Sequence, residues 1–313
     1  PALRRDRPQN TEGGGERMKS MTLKNMRMGK ERTAAGRDSQ AETNQRIRTV
    51  AFLIAAVVIL AAVTAAGILT EEYAVETDFS SRNLSPSLQH LFGTDWMGRD
   101  MLARTLSGLS LSIRIGILTA AVSAVVALLF GTASVVLGRK ADAVISWCID
   151  LVMGIPHILL VMLISLACGR GFAGVVAGVS LSHWPSLARV IRGELMQLRQ
   201  APYILVAEKM GVSKLQNVRR HMMPHLLPQF LTGLILLFPH AILHESSVTF
   251  LGFGLSSEQP AIGVILSESM QYLTTGKWWL ALFPGLALVL IVVLFALLGE
   301  RVRRLLDPSS VHE

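Results

Sequence analysis

Two histidines and a glutamate stand together in an otherwise strongly apolar stretch of the second half of the chain. His240 and His244 are four residues apart, so in a helix they share one face, and Glu245 adjoins them. Imidazole nitrogens are good ligands for transition metals of borderline softness. A charged group at the centre of a membrane span costs about 2.5–3.5 kcal/mol by insertion scales, so such groups usually face a bundle interior or a water-filled path.

We therefore expect His240, His244 and Glu245, with His183 from another apolar run, to line a path through the protein. On this interpretation His240 and His244 meet a metal ion, or a metal chelate, in passing. The alternative is that the same side chains only make hydrogen bonds between helices. No constellation in the sequence suggests catalysis, and no G-x-x-x-x-G-K-[ST] pattern is present, so we expect neither an enzyme nor an ATP site in this chain.

The elements that must carry these residues are helices in a lipid bilayer. Of 313 residues, 51% are hydrophobic and only 17% are charged, whereas a soluble domain is about one quarter charged. The formal net charge of +8 raises the possibility of a nucleic-acid partner. Because the basic residues lie in tails and loops between apolar runs, with few aromatic residues among them, membrane topology explains the charge better and nucleic acid is excluded.

Six apolar runs are each long enough to cross about 30 Å of hydrocarbon, which predicts an all-α membrane protein with six transmembrane helices. The predicted spans are Val50–Leu69, Ile113–Leu137, Ala143–Cys168, Gly171–Arg192, Leu226–Phe250 and Leu280–Leu298. Gly154 and Pro156 should bend the third. Cys148 and Cys168 lie near opposite ends of that span, roughly 30 Å apart at 1.5 Å per residue, too far for a disulfide.

The positions of Lys and Arg predict the orientation. With six spans both termini lie on one side, and most basic residues then face that side, which the positive-inside rule makes cytoplasmic. The predicted organisation is a disordered basic cytoplasmic tail (1–46), a first span (47–70), an extracytoplasmic segment (71–110), a core (111–308) that includes a cytoplasmic loop (199–224), and a C-terminal tail (309–313). The expected location is a multi-pass position in a bacterial cytoplasmic membrane.

The segment 71–110 contains a dense run of turn and charged residues, FGTDWMGRDMLAR from Phe92 to Arg104. Gly93 and Gly98 suit tight turns. Asp95 and Asp100 can cap the following helix or pair with Arg99 and Arg104. We favour this structural role over direct contact with a substrate.

A second polar and basic stretch, YILVAEKMGVSKLQNVRRHMMPH, runs from Tyr203 to His225 and makes up most of the loop 199–224. If it is helical, six residues fall near one face that could dock in a groove of a soluble partner: Ile204, Ala207, Gly211, Leu215, Val218 and Met222. Glu208, Lys209, Lys214, Arg219 and Arg220 would stand at the rim. A merely amphipathic surface helix is the alternative, but it leaves the Gly211-to-Pro224 spacing unexplained.

Three stretches carry a resemblance to the permease subunits of bacterial ABC importers in the dipeptide, oligopeptide and nickel branch. Ala207, Gly211 and Pro224 fit the spacing of that family's E-A-A-x3-G-x9-I-x-L-P loop, with departures at Leu205, Val206 and His221. The run from Phe92 resembles L-G-T-D-x-x-G-R-D-x-x-S-R. Residues 241–254 resemble A-I-L-x-E-A-A-L-S-F-L-G-L-G, and the resemblance as a whole covers about residues 90–308.

The resemblance implies a type I ABC importer permease fold. It implies that Ala207, Glu208, Gly211, Leu215 and Pro224 belong to the element that couples to the ATPase, and that Gly93, Asp95, Gly98, Arg99 and Asp100 are structural. The implied partners are a homologous second permease, two ATPase subunits that hold ATP and Mg²⁺, an extracytoplasmic binding protein and the lipid bilayer. The paired histidines resemble the nickel-importing subset.

Three alternatives stay open at this point. An ABC importer of the same type could carry only dipeptides and oligopeptides. A secondary transporter without an ATPase would predict inverted repeats and many intramembrane charges, and we find neither in the sequence. A membrane anchor for another complex would leave the spacing of the loop unexplained.

Overall fold

The computed structural model describes residues 46–306, and within this range the chain forms helices and connecting turns but no strand. The predicted tails 1–46 and 309–313 lie outside this range, apart from Arg46. The chain divides into two units, 1–52 and 53–313, and only residues 46–52 of the first are described. The helices are α1 (Arg46–Leu69), α2 (Glu71–Val75), α3 (Met101–Val136), α4 (Arg139–Gly154), α5 (His157–Ala167), α6 (Gly171–Leu198), α7 (Pro202–Lys209), α8 (Lys214–Asn217), α9 (Met223–Phe250), α10 (Ile262–Leu273) and α11 (Trp279–Leu306).

Four of the described helices are long and apolar enough to cross a membrane, and a bent pair of helices could form a fifth span. The four are α1, α3, α11 and a continuous 37-residue helix, Lys214–Phe250, that joins α8 to α9. Helix α6 corresponds to the remaining predicted span. Its 28 residues reach about 42 Å, but Ser180, Ser182 and His183 make it more polar than the others, and all three are buried.

The predicted third span is divided into α4 and α5, whose axes are bent by 98°. Pro156 lacks a backbone N–H, and the residue before it, Ile155, is extended at φ −89° and ψ 136°. The bend predicted at Gly154 and Pro156 is confirmed, and it takes the form of a break, after which a new helix starts at His157. Cys148 and Cys168 therefore lie on either side of this break, and both are free thiols.

Helix α3 begins at Met101, inside the segment predicted to be extracytoplasmic up to residue 110. Asp100 ends the preceding turn and caps the helix, because its Oδ1 accepts hydrogen bonds from the backbone N–H groups of Leu102 and Ala103 at 2.9 and 3.0 Å. The helix therefore begins where a side chain accepts hydrogen bonds from its first backbone N–H groups, and not where the apolar run begins.

Helices α3, α6 and α9 form the centre of the unit 53–313. Glycines let them approach closely: a Cβ on Gly116 of α3 would lie 2.8 Å from Ile242 of α9, and one on Gly131 would lie 2.6 Å from Ile191 of α6. Small residues at helix contacts are typical of packing in membranes, where lipid supplies no hydrophobic drive between helices. Outside this centre, α4 is tied to α6 by the ion pairs Asp142–Arg192 and Asp150–Arg189.

Candidate functional site

The Phe92–Arg104 run forms two tight turns and a helix cap. Gly93 and Gly98 have φ of 73° and 81°, a left-handed region that glycine occupies without strain. The second glycine also allows close approach, since a Cβ there would lie 1.7 Å from the carbonyl oxygen of Asp78. Asp78 itself is fixed by the hydroxyls of Ser80 and Ser81, which lower the pKa of its carboxyl from 3.8 to about 2.

Asp95 is the acceptor around which these turns close. It takes hydrogen bonds from the backbone N–H groups of Met97 and Arg99, at 2.8 and 2.9 Å. The same carboxylate binds Arg99 Nε at 2.6 Å and Arg104 Nη1 at 2.7 Å. Only 2% of the Arg104 side chain is exposed, so this ion pair lies inside the protein.

One member of this charge network lies far away in the sequence and was not predicted. Glu268 of α10 accepts hydrogen bonds from Arg99 Nη2 at 3.2 Å and from both terminal nitrogens of Arg104 at 3.1 and 3.0 Å. The network therefore joins the start of α3 to α10 across the fold. Its geometry is that of a structural clamp, because both arginines form ion pairs with the same two carboxylates, those of Asp95 and Glu268.

The segment predicted to couple to an ATPase consists of two short helices joined by a sharp turn. Helix α7 ends at Lys209, Gly211 turns the chain at φ +88°, and Ser213 caps α8 by accepting from the N–H of Gln216. A π-helical turn, Val218–Met222, then leads directly into α9. This turn stands at the end of the Gly211-to-Pro224 interval and joins the loop to the long helix without a break.

The predicted docking face of this segment was partly wrong. Ile204, Val218 and Met222 are fully buried against the rest of the chain, so they anchor the segment instead of facing a partner. The exposed apolar side chains of this segment include Leu205, Val206, Met210 and Leu215. Among the residues predicted to couple to the ATPase, Gly211, Leu215 and Pro224 are exposed, while Ala207 and Glu208 are partly buried.

The apolar surface of this segment has a basic border. Lys209 and Lys214 are exposed next to Met210 and Leu215, and Arg219 and Arg220 follow on the π-helical turn. The predicted face required a single straight helix, whereas the turn at Gly211 divides the segment into α7 and α8. The exposed surface of Leu205, Val206, Met210 and Leu215, called the apolar loop face below, replaces the predicted one.

Three histidines from three helices meet near the break between α4 and α5. They are His157, the first residue of α5, His183 in α6 and His244 in α9, and each offers a ring nitrogen within 4.8 Å of the others. Their ring centroids are 4.3–5.0 Å apart and the rings are nearly perpendicular. His240 is not part of this group: its ring is exposed and its backbone carbonyl accepts from His244 Nδ1 at 2.7 Å.

The sequence therefore placed His183 and His244 among the candidate residues but missed His157. The missed signal was its position directly after Pro156, where a helix break turns a side chain toward other helices. The structure thus brings His244 together with His157 and His183, while His240 is exposed and outside this group.

Glu245 lies inside the helix bundle with no exposed surface. Its carboxyl group accepts hydrogen bonds from Ser112 Oγ at 2.7 Å, Ser246 Oγ at 3.1 Å and Thr249 Oγ1 at 3.1 Å. Ser112 belongs to α3, so this contact links α3 to α9. A place for Glu245 on a translocation path stays a prediction.

Comparison with known proteins places these features in a family. Residues 112–311 match the family model described as the binding-protein-dependent transport system inner membrane component. A putative peptide transport system permease protein of Brucella abortus is 34% identical over 82% of this chain and 86% of its own length. The probable D,D-dipeptide transport system permease protein DdpC of Escherichia coli is 32% identical over 74% of this chain and 78% of its own.

The dipeptide transport system permease protein DppC of Bacillus subtilis is 27% identical over 77% of this chain and 75% of its own length. Among solved structures, an inward-facing MetNI methionine ABC transporter matches with a TM-score of 0.56 and 18% identity, over 66% of this chain and 98% of that one. At this identity the structural match supports the fold alone, and it agrees with the predicted type I importer permease architecture. On the family match and the identity to its relatives, this chain is a member of the binding-protein-dependent transport system inner membrane components.

Proposed function

We propose that the chain is a permease subunit of an ATP-driven importer of peptides, and that it moves solute by alternating access. The observation that carries the proposal is the exposed apolar loop face with its basic border, attached to the unbroken helix Lys214–Phe250. An exposed apolar surface of this kind is typical of a protein interaction site. The occupant we infer is an ATPase subunit, since ABC permeases hold no nucleotide site of their own.

The continuous helix explains how a displacement of the apolar loop face could be transmitted to the helices in the membrane. Leu215 lies near its start and Glu245 thirty residues later, about 45 Å along the axis. Because a helix is stiff along its axis, displacement of the apolar loop face would move His244 and Glu245 together. These two residues contact α5, α6 and α3, so the displacement would also move the helices at the centre of the bundle.

We further propose six spans, formed by α1, α3, the bent pair α4 and α5, α6, α9 and α11. The basic residues next to the apolar loop face and after the last span favour a cytoplasmic location for the loop and for both termini. The remaining partners of the proposed assembly are a homologous second permease, a second ATPase and an extracytoplasmic binding protein. The family description, which specifies binding-protein-dependent transport, supports the last of these.

The peptide cargo rests on the names of the relatives, two of which are dipeptide permeases and one a peptide permease. Import of nickel or metal chelates stays an open prediction. Uptake of radiolabelled nickel and of a radiolabelled dipeptide, compared between wild type and His240→Ala/His244→Ala, separates the two. Equal loss of both substrates, or of neither, would remove the claim of a metal-specific path.

Cysteine labelling tests the proposed orientation, on which contact with a cytoplasmic ATPase depends. In a chain with Cys148 and Cys168 replaced by Ala, a single cysteine at Lys214 should react with a membrane-impermeant thiol reagent only in inside-out vesicles. A single cysteine at Leu88, in the segment between α2 and α3, should react only in intact cells. Labelling at position 214 from outside would overturn the proposal, because no cytoplasmic ATPase could then reach the loop.

Dependence on an ATPase separates this proposal from a secondary transporter and from a membrane anchor. Gly211→Asp places a charged side chain in the turn between α7 and α8, where φ is +88°. We expect this variant to lose copurification with the ATPase and stimulated ATP hydrolysis. Solute uptake that persists after removal of the ATPase would favour a secondary transporter.

A further inference from the structure

The group of His157, His183 and His244 has the features of a built metal site. The three rings come from α5, α6 and α9, which are far apart in sequence, and they converge without any acidic or basic partner in the group. Three neutral imidazoles placed edge to face gain little from one another. Their convergence requires a physical reason beyond filling space.

Hydrogen bonds occupy Nδ1 of two of the rings and leave their Nε2 atoms available to a ligand. His183 Nδ1 donates to the carbonyl oxygen of Val179 at 2.8 Å, and His244 Nδ1 donates to that of His240 at 2.7 Å. Each bond fixes the tautomer in which Nε2 carries a lone pair. Backbone carbonyls orient metal-binding histidines in this way in many sites.

The environment of the Nε2 atom of His183 also favours a bound ligand. This atom is buried and has no hydrogen-bond partner among the described residues, and only 6% of His183 is exposed. A buried acceptor without a partner costs about 1–3 kcal/mol. His157 Nε2 reaches Ser182 Oγ only at 3.5 Å, the outer limit of a hydrogen bond, so its lone pair is also available.

We propose that His157, His183 and His244 together bind one divalent transition-metal ion of borderline softness, such as Zn²⁺, Ni²⁺ or Co²⁺. Imidazole suits these ions, and three protein ligands with one open position is a common arrangement for an exchangeable site. Metal–nitrogen bonds of 2.0–2.1 Å put tetrahedral ligand atoms about 3.3 Å apart. Since the nitrogens here are within 4.8 Å, small side-chain rotations complete the site.

Such an ion would fix the break between α4 and α5. His157 follows Pro156 directly, so coordination ties the first residue of α5 to α6 and α9 and holds the 98° bend in place. His157 and His244 are only partly buried, which leaves the ion open to exchange. The inference does not depend on the solute that the importer carries, because binding is measured on the purified protein.

The experiment is a Co²⁺ titration of the full chain, purified in detergent with the subunits that accompany it, by an affinity tag that contains no histidine. After treatment with a chelator, visible absorption should show tetrahedral Co²⁺ at one ion per chain. His157→Gln and His244→Gln each remove a direct ligand and should weaken binding by at least roughly 10- to 100-fold, the loss that follows when only a second-shell partner is removed. His240→Gln, next to the group but outside it, should bind like the wild type.

A second control removes the other histidine pair with helical spacing, His221 and His225, which should also leave Co²⁺ affinity unchanged. X-ray absorption of the Ni²⁺-loaded wild type provides a measurement that does not depend on variant folding. Three imidazole ligands support the proposal. One or none, unchanged affinity in the His157 and His244 variants, or equal loss in His240→Gln would overturn it.

Discussion

Arg104 donates from Nη1 and Nη2 to a single carboxylate oxygen of Glu268, at 3.1 and 3.0 Å, across 164 positions of sequence. This pair fastens the first turn of α3 to α10. Asp95 binds the same guanidinium from the other side at 2.7 Å. Arg104 is therefore a buried cation with two anionic partners, and its burial is tolerable only while both remain.

Asp95→Asn should destabilise the protein strongly. The change leaves buried Arg104 and Arg99 with Glu268 as their one carboxylate among the described residues, and breaking a buried pair costs about 3–5 kcal/mol. Thermal unfolding in detergent measures the loss. Glu300→Gln is the matched control, because the Glu300–Arg304 pair is exposed and surface pairs contribute about 0–1 kcal/mol. Equal shifts in the two variants would contradict a buried clamp.

Ser112→Ala should weaken the link between α3 and α9. The hydroxyl of Ser112 is the only donor from α3 to Glu245 among the contacts of the described residues, at 2.7 Å. Loss of one hydrogen bond to a buried carboxyl group costs about 1–2 kcal/mol. Ser247→Ala on α9 serves as control, since that hydroxyl bonds within its own helix to Leu243. A melting temperature that falls as far in the control would show that Glu245 does not join the two helices.

Gly108→Ala and Gly193→Ala should shift stability in opposite directions. A Cβ at Gly108 of α3 would lie 2.5 Å from the carbonyl oxygen of Pro260, a backbone atom that cannot move aside as a flexible side chain could. We therefore expect Gly108→Ala to lower the free energy of unfolding by about 1–3 kcal/mol. Gly193 of α6 has open space around its Cβ position. There Ala gains helix propensity worth up to about 1 kcal/mol. The pair is compared by melting temperature, and a stabilised Gly108 variant would refute the close approach of α3 to the start of α10.

Met210→Asp and Leu215→Asp should abolish association with the ATPase without unfolding the permease. Both side chains are exposed, by 80% and 62%, so a charge there costs the isolated chain little. At an interface core the same charge would be desolvated without a partner. Copurification and stimulated ATP hydrolysis are the measurements, with the melting temperature as a check on folding. Leu88→Asp is the control, at a position 98% exposed in the segment between α2 and α3, and it should change neither copurification nor ATP hydrolysis. Wild-type association of the Met210 variant would exclude the apolar loop face as the docking surface.

Local features of this fold could be predicted from the sequence because their causes lie within a few residues. Long apolar runs require helices, since a bilayer leaves no other partner for the backbone. Asp100 caps α3 because its carboxylate reaches N–H groups two and three residues ahead. Gly93 and Gly98 turn the chain with positive φ, and Pro156 ends a helix. Each of these outcomes depends on a residue and its immediate neighbours.

The tertiary structure alone decided which distant side chains meet. Glu268 joins the motif near Asp95 because α10 packs beside the start of α3, and His157 replaces His240 in the histidine group because a 98° break redirects α5. The apolar loop face likewise depends on how α7 and α8 sit on the bundle, which buries Ile204 and exposes Met210. Helix rotation, crossing and bend angles are set by packing over the whole bundle. No periodicity within one helix encodes them.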